Sequence, residues 1–251
     1  MPDEMIDIRT DDGVADAYLT RPDGVSGPLP GVLFVIDAIG LRPRTKEMAD
    51  RIASWGYVVL APNVFYRHGT ATELEPTLDL TDPDSRRPFF AQAMPRVHAL
   101  TDDLAEADLS RYLDTLRGLD DVADGSVGAT GYCAGGRWAL LAAATRPDVV
   151  GAIGMFHTGG LVTDDSASPH LRLPRVRAEI LAIHADRDAT MPPEAIAMFE
   201  HALTSSGVTH HATVYPGAPH GYTMSDTAAF HPEATEEHFD ALRSLFARKL
   251  H

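Results

Sequence analysis

The sequence predicts an α/β fold: one domain over residues 1–251, with a mostly parallel central sheet and helices on both faces. Three observations carry this expectation. Short continuous apolar runs, such as Gly31 to Ile36 (Gly-Val-Leu-Phe-Val-Ile), suit strands buried on both faces of a parallel sheet. These runs alternate with stretches of helical periodicity, the pattern of βαβ units. The chain of 251 residues is long enough to bury a full core, and its 44% hydrophobic and 23% charged content is that of a globular protein. No internal repeat, low-complexity stretch or linker divides it.

Met5 to Arg9 and Val14 to Thr20 read as two strands joined through Thr10-Asp11-Asp12-Gly13, where Asp-Gly supplies hairpin chemistry. After the Gly31–Ile36 strand, a helix is expected from about Pro43 to Trp55, because Pro suits a first helical turn. Gly56 ends that helix, and Tyr57 to Ala61 makes the next buried strand. Residues 62–94 read as a long irregular segment rich in Pro, Asp, Thr and Arg, of a length that is often functional. Helical spacing returns from Leu104 to Leu116, before Gly118. A strand at Val127 to Tyr132, a helix from Arg137 to Ala144 and a strand at Val149 to Met155 follow. A loop through Pro174 then leads to a strand at Glu179 to His184 and a helix from about Pro192 to Thr204. A strand at Ala212 to Tyr215 and a helix from Pro232 to Arg248 close the chain.

A net charge of −15, with no long run of like charges, argues against nucleic acid and anionic membranes as partners. A single cysteine excludes an internal disulfide framework and suits a reducing compartment. The start, Met1-Pro2-Asp3-Glu4, lacks the basic and apolar regions of a secretory signal, and no run of eighteen apolar residues occurs. A cytoplasmic location is the expectation.

Residues 131–136 read Gly-Tyr-Cys-Ala-Gly-Gly, a G-x-C-x-G turn between the Val127–Tyr132 strand and the helix after it. This is where an α/β-hydrolase fold carries its nucleophile, here Cys133. The nucleophile holds a strained backbone angle, and strand and helix pass too close for side chains at 131 and 135. A thiol at a helix N-terminus also meets the positive end of the dipole, which favours the thiolate. The plainer alternative is a small buried cysteine at a packed junction.

A cysteine nucleophile needs a base and a group that orients it, and in this fold the chain order is nucleophile, acid, histidine. After the strand ending at His184 come Asp186 and Asp188, both in position for the acid. The last short strand is followed by Pro216-Gly217-Ala218-Pro219-His220-Gly221-Tyr222, which puts His220 at the place of the base. Backbone N–H groups of Ala134 and, in the loop Asp37-Ala38-Ile39-Gly40, of Ala38 are the expected oxyanion donors. His184, Asp186 and Asp188 lack further ligands elsewhere in the chain, so metal catalysis is not expected.

Together, Gly-Tyr-Cys-Ala-Gly-Gly, the Asp188 loop ending in Met191-Pro192, and Gly-Ala-Pro-His-Gly-Tyr around His220 resemble the dienelactone hydrolase family. The stretch from Val35 through Asp37, Gly40 and Gly56-Tyr57 to Ala61-Pro62-Asn63 is similar in order and spacing, so the likeness spans about residues 5–248. The resemblance implies a Cys-Asp-His triad of Cys133, Asp188 and His220, and hydrolysis of a small-molecule lactone or ester without a cofactor. Asp37 stands where the family has a glutamate that helps ionise the thiol, one methylene shorter. Family members hold a substrate carboxylate with arginines. One matching position is Met224, whose thioether cannot form a guanidinium's forked hydrogen bonds, and Arg86 and Arg87 are available for the other. Two other classes remain open to test: a slow binding or regulatory protein on a hydrolase fold, and a redox-sensing thiol, which here has no resolving cysteine.

Overall fold

The computed structural model describes residues 3–24 and 27–250; Met1 and Pro2 of the N-terminal reading lie outside the described residues. The strands β1 (Asp3–Thr10) and β2 (Gly13–Thr20) form the expected hairpin, with Thr10 opposite Gly13. They are followed by β3 (Gly31–Val35), α1 (Pro43–Ala53), β4 (Val58–Pro62), α2 (Ala71–Leu74), α3 (Pro83–Ala99) and α4 (Asp102–Arg117). The second half holds β5 (Val127–Tyr132), α5 (Ala134–Thr145), β6 (Val150–Phe156), β7 (Glu179–Arg187), α6 (Pro193–Ser206), β8 (His210–Pro219) and α7 (Pro232–Lys249). All eight strands join one sheet in the order β1-β2-β4-β3-β5-β6-β7-β8. Only β1 and β2 run antiparallel to their neighbours; from β4 onward every pairing is parallel.

Helices cover the sheet on two sides. A Cβ placed on Gly31 would lie 3.0 Å from Leu116 of α4, and one on Gly128 would lie 2.9 Å from Phe246 of α7. Val32, not Gly31, is paired with Gly128, so the two glycines face opposite sides of the pleat. Strands β3, β4 and β5 are buried along their whole length, which is why they read as unbroken apolar runs. The order reverses at β3, with β4 on one side and β5 on the other. Loops leaving the carboxyl ends of β3 and β5 therefore flank the crevice where such sheets bind ligands.

Two differences from the sequence reading bear on function. Strands β7 and β8 extend past their apolar cores, to Arg187 and Pro219, which are paired across the ladder. The pairing sets the next residues, Asp188 and His220, side by side. Residues 62–94 are not irregular throughout: α3 occupies 83–99, preceded by a short 3-10 turn (Tyr66–His68) and by α2. Asp82 caps α3 by accepting from the Asp84 and Ser85 amides, and Pro83 takes the first turn. The helix escaped detection because it buries only Phe89, Ala93 and Arg96 and carries Pro88 and Pro95 inside it. A helix with so thin an apolar face lacks the periodic stripe that marks others.

Phe246 is fully buried, lies against Gly128 and meets Tyr57 edge-on with ring centroids 5.7 Å apart. Phe246→Ala is expected to lower unfolding free energy by about 3–5 kcal/mol in urea titrations, with the m-value unchanged. A loss below about 1 kcal/mol would mean that α7 adds little to the core.

Candidate active site

Cys133 sits on the turn between β5 and α5 with φ 54° and ψ −122°, a region that non-glycine residues rarely occupy. The surroundings enforce that angle. A Cβ on Gly131 would lie 2.1 Å from the Gly135 carbonyl oxygen, and one on Gly135 would lie 2.4 Å from the Val35 and Ile36 carbonyl oxygens. The start of α5 is therefore pressed onto β5 and onto the end of β3, and the Cys133 amide donates to Phe156 O at the end of β6. Ala134 is the first residue of α5, where an N–H has no acceptor within the helix.

The Cys133 Sγ lies 3.0 Å from His220 Nε2, and His220 Nδ1 lies 2.7 Å from Asp188 Oδ2. The other Asp188 oxygen accepts from the backbone N–H and the hydroxyl of Thr190, two residues on. This is the short Asx turn that aspartate favours. The His220 amide donates to Arg187 O, tying its loop to the end of β7. Burial disfavours charge on the His220 ring, but Cys133 and Asp188 outweigh it and push the pKa up to about 10. Burial likewise raises Asp188, yet hydrogen bonds from His220 and Thr190 leave it below the usual carboxylate range. At neutral pH the imidazolium can thus donate from both ring nitrogens, one to the carboxylate and one to the sulfur. Asp186 is engaged elsewhere, accepting from the Gly217 amide at 2.8 Å. His184 is buried against Phe199, so the three residues of this stretch point to different neighbours.

A cavity of about 140 Å³ opens over the sulfur, lined among others by Asp37, Ala38, Arg86, Cys133, His220 and Met224. Arg86 comes from α3 and stacks on Phe90 one turn along, its guanidinium 5.4 Å from the ring centroid. Arg87, the adjacent candidate, is exposed and outside that lining, because neighbouring helical residues point about 100° apart. Met224 is buried in the wall.

Asp37, a candidate for activating the thiol, has both oxygens engaged elsewhere. Oδ1 accepts from the Ile39 and Gly40 amides and from Arg42 Nη1 at 2.8 Å, while Oδ2 accepts from Arg42 Nη2 at 3.1 Å. Arg42, only 2% exposed, also donates to both oxygens of Asp226 and lies 3.4 Å from the Met224 sulfur. Burial opposes its charge, but the two carboxylates keep its pKa above the usual value. Sequence reasoning missed Arg42, Asp226, Thr190 and His157. Asp-x-Thr spacing could have signalled Thr190; Arg42 and Asp226 are 184 positions apart, with no local signal. His157 lines the cavity beside His220: its Nε2 pairs with Thr223 Oγ1 at 2.8 Å, its ring meets His220 edge-on, and burial holds its pKa well below the ordinary value.

The profile described as the dienelactone hydrolase family matches residues 15–250. A Yersinia pestis protein provisionally named carboxymethylenebutenolidase is 25% identical over 240 residues, covering 92% of this chain and 83% of that protein. A Methylorubrum extorquens protein of the same provisional name is 26% identical over 245 residues, covering 96% and 79%. Among solved structures, a provisionally titled dienelactone hydrolase from Klebsiella pneumoniae superposes with a TM-score of 0.81 at 24% identity, covering 98% of both chains.

The raised His220 pKa has a consequence for stability. Folding favours the imidazolium, so this contribution is complete below about pH 6.5 and fades as pH rises through about 10. An NMR titration of His220 is expected to give a midpoint near 10 that drops in Cys133→Ala and in Asp188→Asn. A wild-type midpoint at or below 6.5 would contradict the electrostatic account.

Proposed function

Because the chain belongs to the dienelactone hydrolase family, and is a hydrolase on that ground, we propose that it opens a lactone or cleaves a small carboxylic ester through Cys133, His220 and Asp188. The observation that carries this reading is the unbroken line from Cys133 Sγ through His220 to Asp188, with Cys133 and His220 in the cavity lining. In this reading the thiol proton resides on His220 Nε2, and the sulfur attacks the acyl carbon. A C–S bond forms as the carbonyl π pair moves to oxygen. The backbone amides of Ala38 and Ala134 hold that oxyanion. Collapse re-forms the carbonyl and breaks the acyl C–O bond, and His220 gives its proton to the departing alkoxide. Water then attacks the thioester while His220 takes its proton, and a second collapse breaks the C–S bond, releasing the acid and restoring the thiolate beside the charged His220. Asp188 keeps the ring oriented and stabilises its charged form.

Asp37 enters this scheme as the holder of the Ala38 loop, since its oxygens are occupied by Arg42 and the loop amides. The thiol proton has its acceptor in His220, 3.0 Å from the sulfur. Beside Met224, Asp37 and Asp226 both pair with the guanidinium of Arg42. Arg86 lines the same cavity. These features bear on the substrate preference: a neutral lactone or ester meets no repulsion, and a carboxylated one finds in Arg86 the one guanidinium among the lining residues.

Cys133→Ala is expected to abolish turnover of an aryl ester while leaving the fold intact, and iodoacetamide should inactivate the wild type at this one thiol. Asp188→Asn should lower kcat by several orders of magnitude; Asp186→Asn should cost far less, since it loosens a loop amide only. Wild-type turnover in Cys133→Ala would overturn the mechanism, and equal losses at 186 and 188 would mean the acid is misassigned. A wild type unreactive toward every ester and lactone tried would favour a binding role on the same fold.

Neutral esters or lactones should be turned over at least as well as carboxylated ones. Met224→Arg should raise kcat/KM for carboxylated substrates more than for neutral ones, a charged hydrogen bond being worth about 1.5–3 kcal/mol. Strong wild-type selectivity for carboxylates, lost in Arg86→Ala, would reverse this expectation and assign the contact to α3.

A further inference from the structure

We infer that Arg96 of α3 is a positioning residue for the oxyanion site: it holds the Ala38 peptide in register for the developing charge. This rests on the reading of Ala38 as an oxyanion donor and extends it to a residue outside the cavity lining. Arg96 Nη2 donates to Ile39 O at 2.8 Å and to Ala38 O at 3.3 Å. The same loop is gripped from its other side, where Asp37 accepts from the Ile39 and Gly40 amides and Arg42 donates to Gly40 O at 3.1 Å. Two guanidinium groups and one carboxylate therefore hold a four-residue turn by its peptide groups. The Ala38 N–H belongs to the Asp37–Ala38 peptide, which is held between two anchored ends: the Asp37 side chain on Arg42 and the Ala38–Ile39 peptide on Arg96 by a charge-assisted hydrogen bond.

The surroundings of Arg96 argue against a stabilising role. It is 8% exposed, and among the described residues no carboxylate lies within ion-pair distance. Its guanidinium lies 5.0 Å from the centroid of Phe65 and 6.0 Å from that of Phe89, and its Nε has no hydrogen-bond partner. Burial lowers its pKa, with Asp37 opposing at a distance. A buried cation held by carbonyls and aromatic faces alone is costly, and an apolar side chain of similar length would suit this wall better. What the cation provides is the two-carbonyl grip. Ile39 adds a second tie by packing with Leu80, Phe89 and Ala93 in a small cluster separate from the main core.

The test compares Arg96→Met, which keeps length and apolar contact, with Arg96→Lys, which keeps charge but not the planar fork. Arg96→Met is expected to melt at or above the wild-type temperature and to lose about ten- to a hundredfold in kcat, with KM within about threefold. Removing an oxyanion donor outright costs about 10²–10³, and loosening one should cost less. Arg96→Lys should fall between. Two probes separate positioning from general damage. A small trifluoromethyl ketone adds to Cys133 to form an oxyanion, so its inhibition constant should rise in step with the loss of kcat. Iodoacetamide alkylates the thiol with no oxyanion, so its rate should stay within about twofold. If Arg96→Met does not fold, Arg96→Lys carries the same comparison. Unchanged kcat in both variants, or an equal slowing of alkylation and turnover, would overturn the inference while leaving the Cys133 mechanism standing. Activity in Cys133→Ala would instead remove the reading on which the inference rests.

Discussion

The approach of α5 to the end of β3 governs the geometry of everything around it. With the Gly135 backbone within van der Waals reach of the Val35 and Ile36 carbonyls, no side chain fits, and the chain must turn sharply at Cys133 to get there. That backbone strain is of order 1–3 kcal/mol and is sustained by the packed sheet on either side. Three consequences follow from one contact. The sulfur is lifted above the strand ends, the Ala134 amide stands at a helix start, and the loop after β3 is drawn alongside both.

Around that turn the protein holds its buried charges in fixed hydrogen-bond partnerships. Asp188 accepts three hydrogen bonds and keeps its charge in a poorly solvated place. The imidazole between it and the sulfur is held from both ends, which is why its proton affinity rises although burial works against it. On the other wall, Asp37, Arg42 and Asp226 form a network whose polar atoms satisfy one another and the Asp37–Gly40 turn. In a low-dielectric interior such networks are strong when complete and costly when broken. Preorganised donors of this kind are what stabilise charge developing on a substrate, since reorienting dipoles would consume the gain.

Much of this was legible from residue order. The Gly-Tyr-Cys-Ala-Gly-Gly turn, the acid after one strand and the histidine after the next are local patterns, each enforced by sterics or turn chemistry within a few residues. The parallel strands were legible because burial on both faces demands continuous apolar runs. Helix α3 was not, since two internal prolines and three buried positions in seventeen residues resemble a loop. The choice between Arg86 and Arg87 also required the helix, because only its periodicity turns one toward the cavity and the other to solvent.

By itself the sequence determined the α/β class, the central strands and the places of Cys133, Asp188 and His220 just past the ends of β5, β7 and β8, because each is tied to its place by short-range constraints. The tertiary structure decided which charges meet. Arg42 and Asp226 are brought together across 184 positions, Arg96 reaches the Ala38 loop across 58, and Asp37 is drawn to Arg42. Long side chains on separate elements have many possible partners in the unfolded chain. Only the packing of the sheet and helices selects one, and with it the shape and charge of the cavity.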